Sequence, residues 1–240
     1  MEIVPFGDQA VRMIFGDRID PSIQQQIRRF LLFFERHPFA GWIEYVPAYT
    51  NIVFYYDPAK VLAGSEIPRK QAQTRVIEQL QKCYAAMAEK AADTECVQRR
   101  TVVIPVCYGG AFGPDLDAVA ACHHMSPDDI VRRHSETDYL VYMLGFAPGF
   151  PFLGGLPEAL ATPRRAEPRL KVAAGSVGIA GSQTGVYPLD SPGGWQIIGR
   201  TPLALFNPDA PVPVLLNAGD LVRFKPMTQA QFFAWRHDGA

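Results

Sequence analysis

The residues able to do chemistry are concentrated in three stretches of the second half of the chain. The first runs Tyr142-Met143-Leu144-Gly145-Phe146-Ala147-Pro148-Gly149-Phe150-Pro151-Phe152-Leu153-Gly154-Gly155. Its glycines and prolines force turns, and the large apolar residues between them need something to cover. An Ω-loop packed on its own scaffold would meet that need, and so would the wall of a pocket or a partner surface. The second stretch runs from Pro168 to Gly185, with glycines at 175, 178, 181 and 185 beside Arg169 and Lys171. Backbone free of side chains can approach a ligand closely, and exposed N–H groups there could cradle an anion. It is not a P-loop, because no Gly-Lys pair occurs anywhere in the chain. Ala174-Gly175-Ser176-Val177-Gly178 brushes the nucleophile-elbow pattern, yet that motif requires a following helix and Gly178-Ile179-Ala180-Gly181 starts one poorly. Gly175 and Ser176 therefore read as ligand contacts more than as a nucleophile site.

The third stretch, Tyr187 to Pro202, offers the flat faces of Tyr187 and Trp195 and, in Arg200, a planar fork suited to carboxylate or phosphate. The plainer alternatives are a tryptophan plugging a core and an arginine solvated at a strand end. His134 closes a helix that Ser126-Pro127-Asp128-Asp129 should open. A histidine there suits the helix dipole when protonated, and the same position would let it act as a general base or polarise a substrate. No metal site is expected. Cys83, Cys96, Cys107 and Cys122 show no paired spacing, and adjacent Cys122-His123-His124 would not point at one ion.

The elements that must position these groups fall in two parts. Ala10 to Phe15 alternates as a strand, and Asp20-Pro21 starts a helix whose apolar residues are Ile23, Ile27, Phe30, Leu31 and Phe34. Trp42–Val46 and Asn51–Tyr56 read as strands joined by a short turn, and a second helix is expected from about Lys70 to Lys90. The order strand, helix, two strands, helix predicts a small α/β sandwich over residues 1–96. Periodicity then lapses through Lys90 to Arg100, placing a boundary near residue 97. Thr101 to Val106 is a β-branched strand, and two short helices follow, the first capped by Asp115. From Tyr139 to Phe224, short apolar segments punctuated by glycine and proline predict a β-barrel with long functional loops over residues 97–240. The predicted class is thus α+β.

Lys plus Arg number 23 and Asp plus Glu 24, a formal charge of −1, so the basic footprint of a nucleic-acid binder is missing. The N-terminus lacks a secretory pattern and no apolar run reaches about 18 residues, so a cytoplasmic protein that does not span a membrane is expected.

Taken together, Val141–Pro151, Gly175–Gly181, Ser191-Pro192-Gly193-Gly194-Trp195 and Ile198-Gly199-Arg200-Thr201-Pro202 resemble the signature of one family. It comprises the B subunit of 5-oxoprolinase, allophanate hydrolase subunit 1 and the kinase A inhibitor. The resemblance extends from Phe6-Gly7-Asp8 through Pro105–Gly110 and Phe112–Asp115 to Pro226; Ala173 and Ser182 depart from the usual proline and glycine. It implies that the barrel is cyclophilin-like. It also implies that the chain works with two others, a homologous C subunit plus a metal-dependent A subunit, in ATP-dependent hydrolysis of 5-oxo-L-proline to L-glutamate. Other members inhibit a sporulation histidine kinase, and fused relatives serve as carboxyltransferase domains of urea amidolyase. In the oxoprolinase reading, phosphorylation of the lactam oxygen uses ATP and Mg²⁺, bound here or shared with the partner. Arg169, Lys171 and Arg200 would then contact anions, the Gly175–Gly185 backbone would donate N–H groups, His134 would handle protons, and Gln183 and Tyr187 would orient the lactam.

Overall fold

The first residues alternate into an antiparallel pair, β1 (Glu2–Pro5) and β2 (Ala10–Ile14), with Val11 and Met13 turned wholly inward. Asp20 then opens α1 (Pro21–Arg36): its carboxylate accepts the Ser22 N–H at 2.8 Å, and proline follows where no backbone donor is needed. The expected stripe of Ile23, Ile27, Phe30, Leu31 and Phe34 is buried. β3 (Trp42–Pro47) and β4 (Asn51–Tyr56) complete a four-stranded sheet in the order β1-β2-β4-β3. After a single turn, α2 (Pro58–Val61), comes α3 (Ala72–Glu89), which buries Ala72, Val76 and Leu80 in the same cluster as α1 and the inward residues of β2 and β4. Phe30 is the hub of that cluster, its ring 5.8–6.2 Å from those of Phe15, Phe34, Phe54 and Tyr84.

This computed structural model describes residues 1–64, 71–89 and 99–238, the side chains of the last three excepted. Lys70, Lys90, Cys96 and the expected boundary at residue 97 lie outside the described residues. The chain divides into two units, Met1–Gln98 and Arg99–Ala240.

The second unit contains β5 (Thr101–Tyr108), α4 (Leu116–Cys122), α5 (Pro127–Ser135), β6 (Asp138–Leu144) and β7 (Pro151–Gly154). There follow β8 (Arg169–Val172), β9 (Ser176–Ala180), β10 (Gln183–Val186), β11 (Ser191–Gly193), β12 (Gln196–Arg200), β13 (Leu221–Pro226) and α6 (Gln229–Asp238). Seven strands close into a barrel in the order β10-β7-β6-β13-β5-β12-β9, while β8 and β11 pair as a separate ribbon. β13 runs parallel to β5, with Leu221 opposite Thr101 and Pro226 opposite Val106; a parallel pair of this kind requires a long crossover, here most of the unit. Ile104, Val106, Val141, Leu153, Val177, Ile179 and Val222 are fully buried within one cluster, so the barrel is filled by its own side chains. A ligand must therefore bind outside the barrel, among its loops.

β1, α2 and α6 are additions to the elements read from the sequence. α6 is held by Phe232, which is 2% exposed and lies 4.6 Å from the Phe112 ring. Asp115 is a correction: it precedes α4 but makes no side-chain cap bond, because its carboxylate is engaged elsewhere.

Candidate active site

The connection from β6 to β7 carries the most strained backbone among the described residues of the barrel loops. Ala147 N–H donates to the Gly145 carbonyl at 2.8 Å, two residues back, with Phe146 between them at φ +68°. This is a γ-turn of the rare, strained hand, and a bulky aromatic at positive φ is an outlier that costs on the order of 1–3 kcal/mol. Strain of that kind persists where surrounding structure enforces it. Gly145 N–H donates to Phe150 at 3.1 Å and Phe150 N–H to Ala147 at 3.0 Å, so the loop is closed on itself while the Phe146 ring remains 76% exposed.

Phe146, Phe150 and Phe152 form one wall of a pocket of about 250 Å³, and Tyr187 with the Pro192–Trp195 segment forms the other. Phe150, Tyr187 and Trp195 are mutually edge-on, with centroids 5.7–6.2 Å apart and interplanar angles of 80–89°. Such packing satisfies the ring quadrupoles and fixes the walls. Two glycines keep the rings in place: a side chain at Gly193 would strike the Tyr187 hydroxyl, and one at Gly185 would meet the Trp195 ring at 3.1 Å. Burial pushes the Tyr187 phenol up, and its contact with the Trp195 backbone and the nearby guanidinium groups of Arg164 and Arg169 draw it only partly back. The phenol therefore keeps its proton, and its oxygen takes the Trp195 backbone N–H at the edge of the pocket. Arg164 is exposed on the lining, and no hydrogen bond or ion pair ties it to another described residue.

Behind the Gly193-Gly194 side lies a second cluster. Asp115 is 4% exposed; one carboxylate oxygen, Oδ2, accepts the Ile197 N–H, while Oδ1 accepts from Arg169 at 2.7 Å and Arg165 at 3.0 Å. Arg165 Nε and Arg169 Nη1 are buried without a partner among the described residues. A buried donor left unmade costs about 1–3 kcal/mol, so two guanidinium groups on one oxygen are more than structure alone requires. Backbone bonds place the cluster against the pocket wall, since Arg165 N–H donates to the Gly194 carbonyl at 2.8 Å and Arg169 is paired with Gly193 across the ribbon.

Of the residues singled out in the sequence, Tyr187 and Trp195 line the pocket together with the Phe146–Phe152 stretch. The others are placed differently. Arg169 is committed to Asp115, whereas Lys171, paired with Asp190 at 2.7 Å, and Arg200, which donates Nε to the Ala174 carbonyl at 2.8 Å, both stand near Asp190, so the three cations do not share one ligand-facing site. The anion cradle expected at Gly175–Gly185 is also corrected, because its N–H groups are used internally. Gly175 donates to Tyr187, Ser176 to Ala173 and Gly181 to Thr162, while Gly178 and Gly185 face each other across the β9–β10 ladder. Gly175, at φ +81° against the Thr201 carbonyl, serves a tight turn. Ser176 is buried in β9, and Gln183 sits on β10 outside the pocket lining.

His134 is corrected most. It is 0% exposed, stacked 4.6 Å from the Phe224 ring, and both nitrogens are occupied. Tyr108 O–H lies 2.8 Å from Nδ1 and Thr184 Oγ1 lies 2.8 Å from Nε2, with Thr184 in turn donating to the Gly178 carbonyl at 3.0 Å. A neutral ring protonated on Nε2 satisfies that whole chain: Tyr108 donates, His134 accepts and donates, and Thr184 passes the bond on. Burial pushes the imidazole down to about 3. It is not among the residues lining the Phe146–Trp195 pocket, and its position buttresses the barrel.

Arg164, Arg165 and Asp115 were missed as site residues. Pro163-Arg164-Arg165 ahead of the glycine-rich stretch was the available signal; nothing local marks Asp115, whose partners are 50 to 82 residues away. Larger grooves exist in each unit. One, of about 630 Å³, runs from Pro105 to Trp235 and offers only Lys225 as a charged group; another, of about 580 Å³, surrounds Asp8 and Asp57. Neither combines strained backbone, aromatic walls and an unpaired cation. Among the described residues no helix is long and apolar enough to cross a membrane.

Comparison with known proteins accounts for this architecture. The family model described as carboxyltransferase domain, subdomain C and D, matches residues 1–216. The chain is 45% identical to the 5-oxoprolinase B subunit of Bacillus subtilis (strain 168) over 241 residues, covering 99% of this chain and 97% of that protein. It is 60% identical to the 5-oxoprolinase B subunit of Escherichia coli O157:H7 over 132 residues, 55% of this chain and 61% of that one. The crystal structure of TTHA0988 superposes with a TM-score of 0.75 at 33% identity, covering 91% of this chain but only 40% of the longer TTHA0988 chain. The chain therefore belongs to the carboxyltransferase-domain family of subdomains C and D, and it is similar within that family to proteins named as the B subunit of 5-oxoprolinase.

Proposed function

We propose that this chain is the B subunit of a multi-subunit 5-oxoprolinase and that the Phe146–Trp195 pocket holds 5-oxo-L-proline for ATP-dependent opening to L-glutamate. The observation that carries the reading is the pocket's chemistry in a chain so similar, end to end, to a protein named for that activity. Its volume of about 250 Å³ lies below the ~300–1,000 Å³ typical of drug-sized ligands, which suits a five-membered lactam. Aromatic faces cover the ring carbons and exclude water, the Arg164 guanidinium pairs with the carboxylate, and the protonated Tyr187 phenol donates to the lactam oxygen. A lactam is a poor electrophile, and phosphorylation of its oxygen by Mg-ATP would supply the leaving group it lacks.

The residues present do not fit a nucleotide: the pocket is too small, and the glycine-rich backbone donors are already used. In this reading ATP and Mg²⁺ are held mainly by a homologous C-type partner, and a metal-dependent A-type partner completes the hydrolase. The test is glutamate release from 5-oxoproline with Mg-ATP, using the chain alone and recombined with candidates for these two partners. Activity confined to the recombined mixture, and abolished by Trp195→Ala, supports the proposal. Folded, associated proteins without activity overturn it.

A further inference from the structure

We propose that the Asp115–Arg165–Arg169 cluster is an oxyanion subsite on the flank of the pocket, in which Arg165 leaves Asp115 to bind a phosphoryl or carboxylate group. Three features carry this. First, supply exceeds demand: two guanidinium groups share the single oxygen Oδ1, the other oxygen being held by the Ile197 N–H. With Arg164, three arginines of the Pro163–Val172 segment stand near the single buried carboxylate of Asp115; Lys171 is paired with Asp190, and Glu167 is exposed and forms no ion pair with a described residue. Second, the two arginines are not equivalent. Arg169 is closer to Asp115 and its side chain is 26% exposed, whereas Arg165 is farther and 37% exposed. Arg165 can depart while Arg169 keeps the buried carboxylate paired, so the exchange leaves no orphaned charge. Third, Arg165 is anchored at the pocket: its backbone is bonded to Gly194, which lines the cavity, and an arginine pivoting there has the reach to bring its fork to the mouth. Its Nε, unpartnered where it now lies, would gain a bond by moving.

The ligand class is an oxyanion presenting two coplanar oxygens to a guanidinium fork. Given the lactam reading, on which the inference rests for its biological ligand, Arg164 takes the ring carboxylate and Arg165 takes the second anionic group.

Isothermal titration of the folded chain with inorganic phosphate, and separately with 5-oxo-L-proline, tests this directly. Phosphate should bind the native chain, Arg165→Gln should weaken it by about tenfold or more, and Arg164→Gln should lose 5-oxoproline while still binding phosphate more tightly than Arg165→Gln does. Arg165→Lys, which retains charge without the fork, should fall between native and Arg165→Gln and covers the case of a poorly folding glutamine variant. Absence of phosphate binding to the native chain, or equal binding by native and Arg165→Gln proteins, overturns the subsite whatever happens with 5-oxoproline. Failure of the native chain to bind 5-oxoproline, with the phosphate pattern intact, sinks the lactam reading and leaves the subsite standing.

Discussion

His134 and Asp115 are both buried in the barrel unit, at 0% and 4% exposure, and their surroundings differ in kind. Around His134 every donor meets one acceptor: Tyr108, the ring, Thr184 and the Gly178 carbonyl form a single closed chain. Around Asp115 the donors outnumber the acceptors, and two guanidinium nitrogens are left over. A fully satisfied polar network rigidifies a core, whereas a surplus of donors is a store of binding capacity. The difference separates two roles that residue type would have reversed, because histidine is the residue usually looked to for catalysis and a buried aspartate beside arginine the one usually taken for structure. In this molecule the histidine is the buttress and the arginine cluster borders the pocket.

Removing the His134 ring should have the largest effect. His134→Ala leaves a cavity beside Phe224 and orphans the Tyr108 and Thr184 hydroxyls, so urea unfolding should show a loss of about 3–5 kcal/mol; a loss below about 1 kcal/mol would erase the contrast with Asp115. Asp115→Asn should cost somewhat less, about 2–4 kcal/mol, because the arginines it pairs are themselves partly exposed and can turn to water. The same variant should tighten or preserve phosphate binding, since Arg165 is released; weakened binding with native stability would break the comparison from the other side.

The pH dependence of stability sharpens the His134 half. In the unfolded chain the ring takes a proton below its ordinary value of 6.5, while in the folded chain burial holds it neutral down to about 3. The folded state's preference for the neutral ring thus contributes fully above pH 6.5 and is lost as pH falls. The loss approaches about 1.4 kcal/mol per unit well below pH 6.5, and the unfolding free energies of native and His134→Gln proteins should diverge by about 2 kcal/mol between pH 7 and 5. Parallel slopes would mean that the ring is protonated where it sits. The smallest effect is expected at Phe146. Phe146→Gly removes a bulky side chain from φ +68° and should raise stability by up to about 1 kcal/mol while weakening ligand binding at the pocket. If it destabilises instead, the loop is scaffold and not part of the site.

Much of the fold was legible in the sequence, because α1, β4 and α5 announce themselves through neighbours only a few residues apart. Asp20 and Ser126 cap the helices they were expected to cap, and the inward residues of α1 follow their period. Short or terminal elements were not legible: β1 has four residues, α2 a single turn, and α6 takes its place from one buried phenylalanine meeting Phe112. At the site, Phe146, Phe150, Tyr187 and Trp195 stood out because large rings among glycines need cover. Arg169, Lys171 and Arg200 stood out equally, and the structure gives each a local partner instead.

What the sequence determined alone was the longer elements, the two-part organisation and the family, all of which depend on local period, turn residues and long motifs. Which arginine is spare, which histidine is sealed and where the pocket opens were decided by tertiary structure. Those properties depend on the register of β12 against β5 and β9, and on the return of the β8–β11 ribbon to Asp115 across 54 residues of chain. A side chain's partner in such a fold is set by strand pairing at a distance, and no spacing along the chain records it.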